Sequence, residues 1–592
     1  MSETIMITIM QHLKKCFSAA LTELNMLQDN CIILVESSKP EFGDYQFNGV
    51  MALAKTLKQD PRKLANQIVT VVTPKLVGVV AKLEIAGPGF INIFLDNNYL
   101  AQYISQLNQR NKFGLDFLKI KSEVIVVDLS SPNLAKEMHV GHLRSTVIGD
   151  SLARILSYLG HEVICQNHVG DWGTQFGMLI AYLLDEKIDL QQNSEDSTIK
   201  INDLEKFYQK AKQKFEDSQE FAVKAREIVV LLQSLDPQIL SYWETFKKES
   251  LGHCKNVYDL LNLKEDLTST AVVRGESFYS ELLNTVIADL KNKNLVTLSE
   301  GALCVFFAKN ELNTNEDTPF ILQKKDGGYL YSTTDLAAIK YRVSQLNATR
   351  IIYVVDQRQA LHFKQLFLLS QKLGYSSNVN LVHSAFGTMM NESGKPFKTR
   401  EGGTVKLIDL IHEANKRAYD LVASRNINWD DTKKNNLAQI LAIDAIKYAD
   451  LSKNRNSDYI FNFDKMLSFE GNTAPYMLYA YTRIHSLLDK ANTEIKDTTL
   501  VVIKENIEHK LALHIAKFAD IVKIAAAECM PHYICQYVYD LAGIFMQFYE
   551  ACPVLKEEDS IKNSRLKLAS LTAAIIEICL TNLLGIIVVK EM

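Results

Sequence analysis

The chain has 592 residues, 65 Lys plus Arg against 69 Asp plus Glu, a formal net charge of −4 and 47% apolar residues. That excludes a disordered chain, which needs low hydrophobicity and high net charge. It also excludes a polycation that holds nucleic acid by bulk charge. At roughly 150 residues per domain, the length suggests about four domains.

Met1 to Leu27 has amphipathic helical spacing and lacks the apolar core of a signal peptide. Leu83–Ala86 and Phe90–Phe94 have strand character, split by Gly87-Pro88-Gly89. Residues 1–115 thus form a small α/β domain. Val124–Leu129 is a nearly unbroken apolar run, the mark of a strand buried on both faces. Leu143 to Leu159 has helical spacing, Gly160 ends it, and Val163-Ile164-Cys165 resumes a strand, which is a parallel crossover unit. Residues 116–193 are the first half of an α/β domain, 194–265 a charge-rich helical insertion, and 266–408 the second half. Strands are expected near Leu295–Leu298, Leu303–Phe307, Tyr329–Tyr331, Ile351–Val355 and Asn380–His383, with a turn at Ser299-Glu300-Gly301. Residues 409–592 read as a helical bundle. Its most apolar stretch, Leu571 to Val589, is interrupted by Glu577, Thr581 and Asn582 and reads as a buried helix, so no membrane is expected. The nine cysteines are odd in number and form no C-x-x-C, which disfavours disulfides and a cysteine zinc site and fits a reducing cytoplasm.

Ligands of open α/β sheets sit beyond the carboxyl ends of the strands. There the chain reads Ser131-Pro132-Asn133-Leu134-Ala135-Lys136-Glu137-Met138-His139-Val140-Gly141-His142. Two imidazoles three residues apart share one face of a helix start, where backbone N–H groups and the helix dipole favour a phosphate. Gly141 has no Cβ to keep a flat nucleobase away. Read alone, His139 and His142 could equally be surface or capping residues; their place between a buried strand and a helix favours a nucleotide site.

This segment, with Leu143-Arg144-Ser145-Thr146, resembles the first signature of class I aminoacyl-tRNA synthetases and, specifically, of the arginyl family. Further blocks are similar in the same order. They are Phe42-Gly43-Asp44-Tyr45-Gln46, Gly170–Gly177, Tyr329–Ala338, Asp356–Phe363, Gly394–Arg400, Gly402-Gly403-Thr404-Val405, Gly471–Tyr476 and Tyr539–Ala542. The resemblance implies a Rossmann-like (HUP-type) catalytic domain, a tRNA-contacting N-terminal domain and an anticodon-binding bundle. It implies a ligase that joins arginine to ATP as arginyl-adenylate, then passes the arginyl group to the 3′-terminal ribose of tRNA(Arg). ATP with Mg²⁺ is the implied cofactor, without a protein metal ligand, and a monomer is expected. Activation is implied to need bound tRNA.

By that resemblance His139, Gly141 and His142 bind ATP, and Lys395 and Lys398 grip its outer phosphates. The class pattern has Ser before the second lysine where this chain has Phe397, and Lys136 is implied to compensate. Read alone, Lys395 and Lys398 are a solvated loop. Asp335 would pair with the guanidinium and Tyr331 would line its pocket, whereas Asp335 read alone is a helix N-cap. Asp128, Asn133 and Gln359 would hold the amino-acid end; the alternative for Asp128 and Gln359 is a strand-end polar group. Tyr45 and Gln46, and then Arg144, Arg400 and Lys406, are candidates to touch tRNA. Bundle aromatics including Tyr476, Tyr479 and Tyr539 read mostly as core. Three rivals are weaker. A small nucleotidyltransferase needs no helical bundle, and a non-catalytic paralogue would lose the signature histidines. A synthetase for another amino acid does not call for Asp335 beside Tyr331.

Overall fold

The computed structural model describes residues 7–186, 204–312, 319–397, 405–493 and 495–592. Lys398 and Arg400 therefore lie outside the described residues.

The first helix, Ile9–Glu23, starts on a Thr8/Gln11 capping box and buries Ile9, Leu13, Phe17, Ala20 and Leu21. That stripe packs on an antiparallel sheet in the order Leu34–Glu36, Tyr45–Phe47, Phe90–Leu95, Val80–Ala86. Phe17 stacks on Phe47 at 4.5 Å between ring centroids.

The central sheet is parallel, in the order Asn380–His383, Arg350–Tyr353, Val124–Asp128, Glu162–Gln166. Ile125 and Val127 enter one hydrophobic core and Val126 a second, which explains the unbroken apolar run. From Val124–Asp128 the chain first adds Glu162–Gln166 on one side and later Arg350–Tyr353 on the other. The order reverses between these strands, and an open sheet parts there to form a ligand crevice.

Between the halves lie the insertion helices Leu204–Asp217, Gln219–Gln233 and Pro237–Leu260. A small antiparallel sheet follows, Thr297–Ser299, Ala302–Val305 and Phe320–Gln323, with Glu300 and Gly301 at positive φ in its tight turn. The strand expected at Tyr329–Tyr331 is corrected. Tyr329 makes one isolated bridge to Gln323, and Tyr331 already begins the helix Tyr331–Ser344. Leu336, Ala337 and Ile339 of that helix are buried in the second core.

Seven long helices from Leu407–Arg425 to Asp559–Glu577 form the C-terminal bundle. Asp559–Leu583 is long and apolar enough to cross a membrane by composition, but 67% of its apolar window is buried. The last residues return to the insertion: the buried Lys447 Nζ donates to the carbonyls of Leu261 (2.9 Å) and Gly585 (2.6 Å). All nine cysteines are free and only Cys16 is not fully buried.

Candidate active site

The chain leaves Val124–Asp128 through Ser130 (φ 65°) and Ser131 (φ 47°), two consecutive left-handed non-glycine residues. Such backbone persists only where neighbours over-determine it. Here the Ser130 N–H donates to Ser145 Oγ and the Ser131 N–H to Asn167 Oδ1, both at 2.9 Å. The bend drops Pro132 to Ala135 into the core and delivers His139 to the start of the helix Val140–Tyr158.

His139 is the N-cap. Its Nδ1 accepts the Gly141 N–H (3.1 Å), while His142 Nδ1 accepts the His139 N–H (3.0 Å). The rings stack 3.9 Å apart. An Nδ1 that accepts has no proton, so each neutral ring carries its hydrogen on Nε2. Burial, then the charges of Lys136 and Arg358, lower the His139 pKa. Burial and His139 push His142 down to about 3. Both are therefore neutral Nε2–H donors at physiological pH.

This corrects one expectation. The backbone N–H groups of the first turn are not free for a phosphate: Val140 donates to Val405 and Gly141 to His139, while the His142 N–H bonds the His139 carbonyl. Gly141 is needed within the cap itself, because a Cβ there would lie 2.8 Å from His139 Cε1.

A cavity of about 670 Å³ opens at the sheet reversal, a size suited to a small-molecule site. It brings together Asp128, Asn133, His139, Gly141, His142, Tyr331, Asp335 and Gln359 from the sequence-derived set. Asp335 is not a cap; the N-cap of its helix is Leu330. One turn into the helix, its carboxylate meets His362 Nε2 at 2.7 Å and His168 Nε2 at 3.5 Å. Burial opposes the charge, but His362, then His168 and Arg342, hold the pKa below the ordinary value. Asp128 lines the cavity with its oxygens already engaged. Oδ2 takes the buried Arg342 at 2.6 Å and Oδ1 the Ser131 hydroxyl at 2.8 Å.

Other sequence candidates are not assembled there. Lys136 Nζ sits 4.8 Å from the centre of the Tyr208 ring on the insertion. Lys395 is exposed on the turn Asn391–Lys395, away from the cavity lining. Two tRNA-contact candidates are overturned by burial. Tyr45 is 1% exposed, inside the N-terminal core. Arg144 is also 1% exposed, paired with Asp450 at 3.1 Å and bonded to the Gly387 and Ser457 carbonyls. Gln46 is half-buried on Asn92, and Lys406 pairs with Glu137 at 2.9 Å. Of the bundle aromatics, Tyr537, Phe545 and Phe548 are core, while Tyr479 is 40% exposed beside Arg483.

Sequence reasoning missed His168, Glu276, Arg342, Arg358 and His362. His362 and Arg358 stand in a quoted block, which was the available signal; Glu276 had none. The Glu276 carboxyl shares the cavity with Asp335, and burial, Asp171 and Asp335 push its pKa up to about 8. Asp171 holds the segment through the Ser277 N–H (2.9 Å) and Lys247 Nζ (2.6 Å). Two acidic side chains lining one cavity make a place that favours a cation.

Residues 104–463 match the family described as tRNA synthetases class I (R), catalytic domain. Residues 477–592 match the DALR anticodon binding domain, and 11–95 the arginyl tRNA synthetase N terminal domain. An arginine–tRNA ligase of Chromobacterium violaceum is 48% identical over 590 residues, covering 99% of this chain and 100% of its own. That of Klebsiella pneumoniae is 48% identical over 561 residues, 94% and 95% of the two chains. The crystal structure of arginyl-tRNA synthetase from Plasmodium falciparum superposes with a TM-score of 0.85 at 31% identity, covering 99% and 100%. The chain belongs to the arginyl-tRNA synthetase family of class I aminoacyl-tRNA synthetases.

Proposed function

We propose the following division of labour for arginine–tRNA ligation in this chain. ATP lies over the signature helix, with the Nε2–H groups of His139 and His142 donating to its phosphates. Neutral donors fixed by their own cap cost no reorganisation as charge develops on the α-phosphate. The arginine guanidinium enters between Asp335 and Glu276, with Tyr331 at the entrance. Asn133 and Gln359 face the α-amino and carboxylate end, and Asp128 orients that end through Ser131 and Arg342.

The arginine carboxylate attacks the α-phosphate, and pyrophosphate leaves with its electron pair. The 2′-hydroxyl of the 3′-terminal ribose of tRNA(Arg) then takes the arginyl group and AMP leaves. No step needs a covalent enzyme intermediate; positioning and charge stabilisation suffice. The family resemblance assigns charge at the outer phosphates to Lys136, Lys395 and Lys398, of which the first two lie outside the cavity lining. Mg²⁺ would ride on those phosphates. Among the described residues no three His, Cys, Asp or Glu side chains converge to cage it. The free cysteines support placement in the cytoplasm.

The observation that carries this reading is the meeting of two sites in one cavity: a pair of neutral imidazole donors and a carboxylate pair that favours a cation. Pyrophosphate exchange measured with each amino acid, with and without tRNA(Arg), tests it. Exchange should require arginine; equal exchange with lysine would overturn it.

A further inference from the structure

We infer that Arg358 is a catalytic residue, the guanidinium that grips the α-phosphate of ATP across the cavity from His139 and His142. This rests on the proposed placement of the substrates in the cavity and adds a residue to it. A nucleotide triphosphate and the carboxylate that attacks it bring several negative charges into one crevice. Among the described residues lining that crevice, Arg358 is the sole lysine or arginine. Lys136 points to Tyr208 and Lys395 lies on an exposed turn outside the lining.

Arg358 also stands in the right place. It follows the strand Arg350–Tyr353, which flanks the sheet reversal on the side opposite the strand that leads to His139. A phosphate in the crevice then has imidazole donors on one side and a planar cation on the other.

The guanidinium is held ready. Asp356 accepts Arg358 Nε at 2.9 Å and Nη2 at 2.7 Å. The same carboxylate caps the short turn by accepting the Arg358 backbone N–H at 2.8 Å. Yet the side chain is 79% exposed, so its remaining N–H donors face solvent. A fork-shaped cation fixed along one edge and open along the other suits a phosphate oxygen pair. Asp356 is accordingly a positioning residue.

The test is tRNA-dependent pyrophosphate exchange on the full chain with Arg358→Ala, Arg358→Lys, Asp356→Asn and the Ala/Asn double variant. Arg358→Ala should lower exchange about 10²-fold, of the order seen when one transition-state donor is removed. The arginine KM should move less than twofold. It should also erase discrimination between the two diastereomers of ATP carrying sulfur on the α-phosphate, a readout that a structural role would leave alone. Arg358→Lys should recover part of the rate, and the double variant should be no worse than Arg358→Ala. Thermal unfolding should shift little, because the side chain is largely exposed. An unchanged rate in Arg358→Ala, a loss confined to arginine KM, or retained diastereomer preference would each overturn the assignment. Exchange by the native chain without arginine would instead overturn the underlying placement of arginine in the cavity.

Discussion

The imidazole of His142 accepts the main-chain N–H of His139 through Nδ1 at 3.0 Å, and the two rings stack with centroids 3.9 Å apart. This bond fixes the tautomer and aims Nε2–H outward, while burial keeps the ring neutral, with the His142 pKa pushed down to about 3. His142→Ala should therefore lower adenylate formation by about 10²–10³-fold while leaving tRNA affinity in place. The pH profile of activation should show no limb from His142 between pH 5 and 9. Gly141→Ala should mimic the loss, since its Cβ meets the His139 ring at 2.8 Å. Single-turnover adenylate assays beside tRNA filter binding would show this; a full activation rate in His142→Ala would remove the histidine from the mechanism.

Asp335 sits between His362 at 2.7 Å and His168 at 3.5 Å, an anchored carboxylate and not a helix cap. Removing the charged partner of an enclosed cation costs about 2–5 kcal/mol in comparable pairs. Asp335→Asn should thus cut kcat/KM for arginine by about 10²-fold or more, with ATP KM changed little. The helix should survive, because its N-cap is Leu330. Steady-state kinetics in each substrate separates the outcomes. Parallel losses for arginine and ATP would mean that Asp335 supports the cavity as a whole.

Glu276 is the pH-sensitive member of the pair. Burial, then Asp171 and Asp335, push its carboxyl up to about 8, so without arginine it holds a proton at neutral pH. A guanidinium binds better to the ionised form. The arginine KM should therefore fall as pH rises from 6 to 8, by up to about tenfold per unit, and level off above that. Glu276→Gln should flatten the profile. The linked stability effect has the opposite sign. The unfolded chain loses this proton near the ordinary value of 4.5 while the native state keeps it to about 8, so this carboxyl costs stability as pH rises through that window. Saturating arginine should reduce that cost, which a thermal unfolding series across pH 5–9 would detect.

The parts of the fold legible in the sequence were those with a repeating physical signal. The run Val124–Asp128 is apolar because its faces enter two different cores. Gly160, at φ +96°, ends the helix where a left-handed residue is wanted. The His139/His142 pair was found because local spacing placed both rings on one helix start. What local spacing cannot carry is pairing over long separation. Arg342 reaches Asp128 across 214 positions, and Arg144 reaches Asp450 across 306. A buried arginine and a tRNA-binding arginine look alike in a string of residues. Tyr329–Tyr331 failed for a related reason. Its aromatic content suggests a strand, but Tyr331 opens a helix whose Leu336 to Ile339 are buried in the second core.

Arg144 gives that correction a measurable consequence. Its guanidinium is held by the Asp450 carboxylate at 3.1 Å and by the Gly387 and Ser457 carbonyls at 2.7 and 3.1 Å. Phe386 and Tyr459 lie across its faces, with ring centres 5.7 and 5.1 Å away. It thereby ties the signature helix to the helix Asp431–Leu451 and to the loop carrying Gly387. Deleting one partner of a buried pair leaves the other charge uncompensated and costs about 3–5 kcal/mol. Arg144→Ala should therefore lower the unfolding midpoint strongly. Arg144→Met with Asp450→Asn should recover much of the loss, because no unpaired charge remains in the core. Folded Arg144→Ala protein should still bind tRNA(Arg) with near-native affinity and an unchanged salt slope, since a lost phosphate contact would reduce that slope by about one. A weakened, less salt-dependent complex in a stably folded variant would restore Arg144 to the RNA surface.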